Sequence, residues 1–515
     1  MLEAGGNAFD AAVAVSAALS VVEPYGSGIG GGAFFLLRRA EDGFEVMIDA
    51  REVAPGNADR DMYLDATGEP IAGASRDGAL AAGIPGLPAG LAHVAQHYGR
   101  LSLAESLQPA IRYAREGFVA ESGYVARLQR RAPSMNAAAR TIFLPGGTLP
   151  SAGDRVVQAD LAQTLEFLAR DGAAGFYAGP LAQLLVAGVK TGGGIWTLED
   201  LAGYEVVERA VLSGTYHGVE ITTAPPPSSG GVALLNMLNM LEGFDLETFD
   251  DVRRAHVLVE VMRRAYRDRA ELLGDPDFVD VPVNRLIHPY YAAGQRMTIN
   301  LNGATPSDNL PGLRPFDAQG GDQTSHFSVI DRDGNAVATT QSINFSFGSG
   351  FVPAGTGVVL NNEMDDFSIK PGFPNGYGLI GGEANAIAPG KRMLSSMTPT
   401  LLESDDGLAL LGTPGGSRII TMVLLAGLAW IEGADAAAMV AEPRLHHQYY
   451  PDVVGYEDDA LETDAIEALQ ALGHSLRSVG RDYGDMHVVT WDYENGEVEA
   501  ASDPRGIGEP RYTQP

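Results

Sequence analysis

No cysteine occurs in this chain of 515 residues. That absence excludes disulfides, thiolate metal sites and a cysteine nucleophile together, and it leaves the redox compartment open. Lysine is almost missing as well: Lys190, Lys370 and Lys391 are the only ones. Positive charge as a whole is scarce, with 35 Lys and Arg against 66 Asp and Glu and a net charge of −31. So acidic a surface repels phosphate backbones and anionic lipid, which argues against nucleic-acid and membrane-surface roles. Ordinary solubility explains the charge; adaptation to salt is the weaker reading. No long hydrophobic run stands out either. The longest toward the C-terminus, 419–431, falls short of the ~18 residues that span a bilayer and reads as a buried helix. The opening stretch, "MLEAGGNAFDAAVAVSAALSVVEP", is apolar but is no signal peptide as it stands, because its first basic residue is Arg38. Its residues 11–22 are apolar nearly all round and predict a helix buried inside the protein. That helix begins almost at Met1, which points to sequence missing upstream.

What is present is a globular composition, 45% hydrophobic and 20% charged, enough for one large or two to three ordinary domains. Residues 33–39 and 44–50 read as consecutive strands, and helical patterns follow at 87–98, 103–116, 158–171 and 181–190. Thr197, with Asp200 three residues on, marks a helix start. Residues 214–224 read as a strand pair broken by "PPPSSGG" (225–231), and 251–273 reads as a long helix. Residues 297–323 lack sustained periodicity, a pattern that is functional or disordered inside a compact protein. A hairpin follows, "QTSHFSVIDRDGNAVATT" (323–340), then a Gly- and Pro-rich segment at 371–392. Beyond it come a strand at 408–412, a helix from Ser417, another near 462–472 and a final hairpin near 486–501. Strands flanked by helices predict a layered α+β or α/β body, and no internal repeat is visible.

Several motifs invite chemistry and fail on inspection. "GSGIGGGAF" (26–34) follows a helix and opens a strand, the reverse of a dinucleotide loop. It reads as a packing loop, or as backbone held close to a reacting residue. "DRDGN" (331–335) lacks the spaced ligands and closing Glu of a calcium loop. In "HHQYY" (446–450) the adjacent histidines point in different directions with no second ligand cluster, so packing is the better reading. "GTPGGSRII" (412–420) is more informative. Two glycines lie between a strand and a helix whose predicted N-cap is Ser417, and backbone N–H groups at a helix start can hold a developing anion. "NNEMDDF" (361–367) offers carboxylates for an ammonium group, and "LSSM" (394–397) offers hydroxyls for a carboxylate. Arg51, in "DAREVAP" (49–55), could bind a carboxylate with two parallel hydrogen bonds.

No GxSxG elbow and no HExxH site supplies a nucleophile. Thr324 is either an ordinary strand threonine or a nucleophile. A threonine hydroxyl becomes reactive when it opens a chain, because its own α-amine then serves as base. That would require a cut directly after Gln323; spacing and composition permit it without proving it.

The motifs taken together decide the matter. "EAGGNAFDAAVA", "GGGAF", "DAREVAP", "PPPSSGG", "LGDPDF", "QTSHFSV", "LNNEMDDFS", "KRMLSSM", "TPGGSR", "PRLHHQ" and "ASDPR" run in order through nearly the whole chain. The sequence resembles the gamma-glutamyltransferase (gamma-glutamyltranspeptidase) family of N-terminal nucleophile hydrolases. The resemblance implies an α+β fold, a four-layer αββα sandwich, made as a precursor that cuts itself between Gln323 and Thr324. The products would be a large subunit, 1–323, with a flexible end at about 297–323, and a small subunit, 324–515. Together they would form one globular heterodimeric unit.

Carried over by motif, Thr324 would be the nucleophile and its freed amine the general base, with Ser342 orienting either. The N–H groups of Gly415 and Gly416 would form the oxyanion hole. Arg51, Ser395 and Ser396 would hold the substrate α-carboxylate, and Asn344, Glu363 and Asp366 its α-ammonium. Tyr377, in the lid-like segment 371–385, would latch toward Asn344. Two departures stand out: Ser342 replaces a common Thr but keeps the hydroxyl, and Met393 replaces a common Pro before the serine pair. The implied substrates are glutathione and other γ-glutamyl compounds, with water, amino acids or peptides as acceptors. No cofactor and no metal is implied. Relatives are often periplasmic or extracellular, although no export signal is present in this chain. The alternatives are a β-lactam (cephalosporin) acylase of the same superfamily, or an uncleaved, inactive homologue acting as a binding protein. The full set of glutamyl-binding residues argues against the first, and the retained Thr324 against the second.

Overall fold

The computed structural model describes residues 1–314 and 324–512. Gln323 therefore lies outside the described residues, and only the Thr324 side of the expected cut is seen. The helix Ala8–Val22 begins where Asn7 accepts hydrogen bonds from the N–H groups of Phe9 and Asp10, while Asp10 accepts in return from Asn7. Asp10 also accepts from the backbone of Arg100 and Leu101, which ties this helix to the start of Leu103–Glu116. The helix is apolar on every side because helices cover one flank and a sheet the other.

Two antiparallel sheets form the centre. The first has five strands, ordered Val207–Arg209, Phe44–Ala50, Gly32–Arg39, Ala336–Ser342 and Ser325–Ile330. The second has six, ordered Val498–Ser502, His487–Asp492, Gly407–Gly412, Thr400–Glu403, Val219–Thr223 and Leu212–Tyr216. Along Gly32–Arg39, Phe35 and Leu37 pack outward against the first helical layer, and Phe34 and Leu36 pack inward with the second sheet. A strand buried on both faces needs apolar residues at successive positions, which is why "AFFLLRR" shows no alternation. The helices Gly230–Leu241, Asp251–Leu272 and Ile419–Ile431 cover the far side of the second sheet. The order is helices, sheet, sheet, helices: the four-layer α+β sandwich. No helix among the described residues is long and apolar enough to cross a membrane.

Two local expectations need correction or completion. Ser417 does not cap a helix. It lies within a 3-10 turn, Gly416–Arg418, and the α-helix starts at Ile419 without a side-chain cap. The chain reaches that turn through Gly415 and Gly416, both with positive φ (144° and 57°), so glycine backbone freedom replaces the cap. Residues 297–314 form loop with one 3-10 turn, Ser307–Asn309, and are tied to the long helix. Arg264 bonds the Thr298 hydroxyl at 2.9 Å and Arg263 the Ser307 hydroxyl at 2.7 Å.

Candidate active site

The strand Ser325–Ile330 starts immediately after Thr324, and its pairing with Ala336–Ser342 sets Ser325 opposite Gln341. Thr324 is thereby brought beside Ser342, with 3.3 Å between their hydroxyl oxygens. Ser342 Oγ accepts the Asn344 N–H at 2.8 Å, so its own proton remains to give toward Thr324. Asn344 is held at φ 73°, a costly conformation for a non-glycine residue. It is fixed there by its side-chain bond to the Asn362 carbonyl at 3.0 Å and by the Tyr377 hydroxyl on its own carbonyl at 2.9 Å. The glycine-rich loop presses on the same place. A Cβ on Gly26 would lie 2.8 Å from Ser325 Oγ, and one on Gly31 would lie 2.0 Å from the Ser342 carbonyl oxygen. That loop is thus both a packing loop and backbone held against Thr324 and Ser342.

Thr324, Ser342, Asn344, Gly416, Ser395 and Ser396 line one small cavity of about 20 Å³, room for about one water. Arg51, Glu363, Asp366 and Tyr377 also line it. Arg51 stands just past the end of Phe44–Ala50, fully buried, and bonds Glu363 at 2.6 Å and Asp366 at 2.6 Å, with Glu52 at 3.5 Å. Burial alone would lower its pKa, but the fields of Glu363, Glu52 and Asp366 outweigh that and keep the guanidinium charged. Burial likewise pushes Glu52 up to about 7 and Glu363 well above the carboxylate range, against the attraction of Arg51. The groups assigned by resemblance to the two opposite charges of a substrate are therefore ion-paired with each other.

Ser395 and Ser396 are placed by the "PPPSSGG" turn, whose Ser229 donates through both its N–H and its hydroxyl to the Ser395 carbonyl (2.8 and 2.7 Å). Tyr377 closes the other side. Its ring stacks on Phe345 with centroids 4.5 Å apart and covers Gly416 so tightly that a Cβ there would lie 2.2 Å from it. Asn375 accepts the N–H groups of Tyr377 and Leu379, and Asp365 accepts that of Gly376, which folds the segment down. Gly415, one peptide earlier, packs against Met422.

The histidines stand apart. His326 bonds Thr340 at 2.8 Å and Ser328 at 3.1 Å, and burial holds its pKa well below the usual value. His446 bonds Thr421 and Gln448, and His447 bonds Asp452. Burial lowers these two to about 3 and about 4. No cluster of three or more metal-ligating side chains occurs among the described residues. Sequence reasoning missed Glu52, Phe345, Asn362, Asp365 and Gln448, whose side chain holds the Tyr377 carbonyl at 3.2 Å. Asn362 and Asp365 lie inside the quoted "NNEMDDF", where their neighbours drew the attention.

The family model for gamma-glutamyltranspeptidase matches residues 1–513. The chain is 42% identical over 98% of its length to the glutathione hydrolase proenzyme of Escherichia coli, covering 88% of that protein. Among solved structures, the cephalosporin acylase of Bacillus halodurans superposes with a TM-score of 0.85 at 29% identity, covering 98% of this chain and 91% of that one. A chain of Helicobacter pylori gamma-glutamyltranspeptidase is 40% identical with a TM-score of 0.59, covering 60% of this chain and 90% of its own. A family model spanning nearly every residue, and a relative 42% identical over almost the whole chain, lead to one conclusion: the chain belongs to the gamma-glutamyltranspeptidase family.

Proposed function

We propose that the protein is a self-cleaving gamma-glutamyltransferase with glutathione hydrolase activity, acting on small γ-glutamyl compounds. One observation carries this reading: a hydroxyl nucleophile and groups for both charges of an α-amino acid line a single cavity. A glutamyl head is a carboxylate and an ammonium on one carbon. Because the cavity has room for about one water, the head enters only as Arg51 parts from its acidic partners, exchanging one set of ion pairs for another at no net charge. A head lacking either group would leave a buried charge unpaired, which is costly.

The chemistry follows. In the precursor, Thr324 Oγ attacks the Gln323 carbonyl carbon, the peptide becomes an ester, and water opens it. Gln323 keeps the new carboxylate and Thr324 the new amine. In turnover, that amine takes the Thr324 hydroxyl proton as Oγ attacks the γ-carbonyl of the donor. Negative charge on the carbonyl oxygen falls to the N–H groups of Gly415 and Gly416, each worth on the order of 100-fold in rate. The amine product leaves with a proton, and a γ-glutamyl ester remains on Thr324. Water gives hydrolysis; an amino acid or peptide amine gives transfer. The fragments 1–323 and 324–515 stay together as a heterodimer. The word proenzyme in the name of the E. coli relative supports a cut, as does a matched H. pylori chain spanning 60% of this one, about the share ahead of residue 324.

The likeness to a cephalosporin acylase supports a second reading, a β-lactam acylase. The ion-paired cavity favours a zwitterionic acyl group over an apolar one. A denaturing gel, N-terminal sequencing of the smaller fragment and assays with a γ-glutamyl anilide and a cephalosporin distinguish them. The expected fragment begins Thr324, Ser325, His326, and the anilide is the substrate turned over. Thr324→Ala is expected to stay intact and inert. An intact chain that still turns over the anilide would sink the mechanism, and an intact, inert wild type would leave a binding protein.

A further inference from the structure

A second buried guanidinium stands directly behind the cavity. Arg269 belongs to the long helix Asp251–Leu272 and is 5% exposed. Other arginines of this helix are matched: Arg263 and Arg264 by Glu260, and Arg267 by Asp268. Arg269 has no carboxylate within ion-pair distance among the described residues. Its partners are hydroxyls, Ser229 Oγ from Nε at 3.0 Å and Ser396 Oγ from Nη2 at 3.4 Å. Burial pushes its pKa down, opposed by the fields of Tyr266 and Asp366. A buried, unneutralised cation is expensive, and its place is informative.

Arg269 reaches both serines of the pair. It bonds Ser396 directly, and Ser229 passes the contact on to the Ser395 carbonyl. A serine hydroxyl has one proton to give. Ser396 Oγ accepts from Arg269, and Ser395 Oγ accepts the Met397 N–H at 3.1 Å, so each keeps its proton for an acceptor. Arg51, by contrast, already faces Glu363, Asp366 and Glu52, and its attraction for a further carboxylate is offset.

We propose that Arg269 is a positioning residue that selects donors with a free α-carboxylate, by polarising Ser396 and supplying positive charge that has no carboxylate within ion-pair distance among the described residues. This role presupposes the γ-glutamyl donor proposed above. The test compares wild type, Arg269→Gln, Arg269→Lys, Ser396→Ala and the Arg269→Gln/Ser396→Ala double variant. The substrates are γ-glutamyl p-nitroanilide and its α-carboxamide, with precursor cleavage on a gel as the folding check. Wild type is expected to prefer the free carboxylate. In Arg269→Gln the KM for that donor is expected to rise about 10-fold, with kcat and the carboxamide KM changed less than about 3-fold. Arg269→Lys recovers most of the preference, and in the double variant Arg269→Gln adds nothing to the loss from Ser396→Ala.

A uniform rise in both KM values, or an intact preference in Arg269→Gln, overturns the proposal. If Arg269→Gln fails to fold, Ser396→Ala decides: full retention of the preference overturns the proposal equally. Wild type without turnover of either donor refutes the activity instead, and the selectivity is then read by calorimetry. Wild type binding L-glutamate no better than its α-amide overturns the role of Arg269 even there.

Discussion

Thr324 and His326 are two residues apart on one strand direction, yet their surroundings give them opposite fates. His326 is sealed between Thr340, Ser328 and Gly412, where an added Cβ would lie 2.3 Å from its ring, and it is neutral there. It cannot serve Thr324 as a base. Thr324 instead meets Ser342, whose hydroxyl oxygen already accepts the Asn344 N–H. At the same scale, Gly416 has little room for change. Its φ of 57° disfavours any side chain, and the Tyr377 ring occupies the position of its Cβ. Gly416→Ala is expected to lower kcat on the order of 100-fold by displacing the proposed oxyanion donor, with cleavage measured separately on a gel. Unchanged kcat would remove Gly416 from the oxyanion hole. The roles proposed for Thr324, Gly416 and Ser342 come only from their motifs. Nothing in the local pattern distinguishes a nucleophile from a strand threonine, because the distinction lies in which side chains approach from elsewhere.

At the scale of elements, strands and helices were largely legible where burial is regular. Phe44–Ala50 and Leu103–Glu116 match their expected bounds, because a short apolar run closed by a polar turn and the Ser102–Glu105 capping box are local signals. Shorter helices such as Ala137–Phe143 and Pro289–Arg296 escaped notice, since a few turns do not establish a period. Ser417 misled because serine beside a helical run is normally a cap, whereas here two positive-φ glycines set the entry. The segment 371–385 was visible as Gly- and Pro-rich, but not its folded position over the cavity. That position depends on the bond from the Tyr377 hydroxyl to Asn344, at 2.9 Å, and on the Phe345 stack. Tyr377→Phe keeps the stack and removes the bond, a loss of about 1 kcal/mol. Limited proteolysis within 371–385 is expected to speed up about 5-fold, with melting temperature little changed. An unaltered cutting rate would mean the hydroxyl does not hold the segment.

For the whole molecule, the chain order of the strands matters most. Ala336–Ser342 lies beside Gly32–Arg39 in the first sheet, and Thr400–Glu403 beside Val219–Thr223 in the second. Each sheet is thus built from both sides of the proposed cut, with apolar clusters spanning it. The two fragments are expected to co-elute in size-exclusion chromatography as one particle of about the 54.2 kDa of the full chain, and to separate only in denaturant. Separation under native conditions would contradict a shared core. The sequence by itself determined the elements, the acidic surface, the exclusion of thiol chemistry and, through ordered motifs, the family. These depend on composition, periodicity and residue identity, which are properties of the chain in one dimension. Tertiary structure alone decided that Arg51 is paired with the acids that the resemblance assigns to the opposite charge, that Tyr377 covers Gly416, and that, among the described residues, Arg269 stands behind Ser396 without an ion-pair partner. Each of those follows from residues far apart in the chain meeting in a low-dielectric interior, where burial rather than neighbourhood in sequence sets charge and reach.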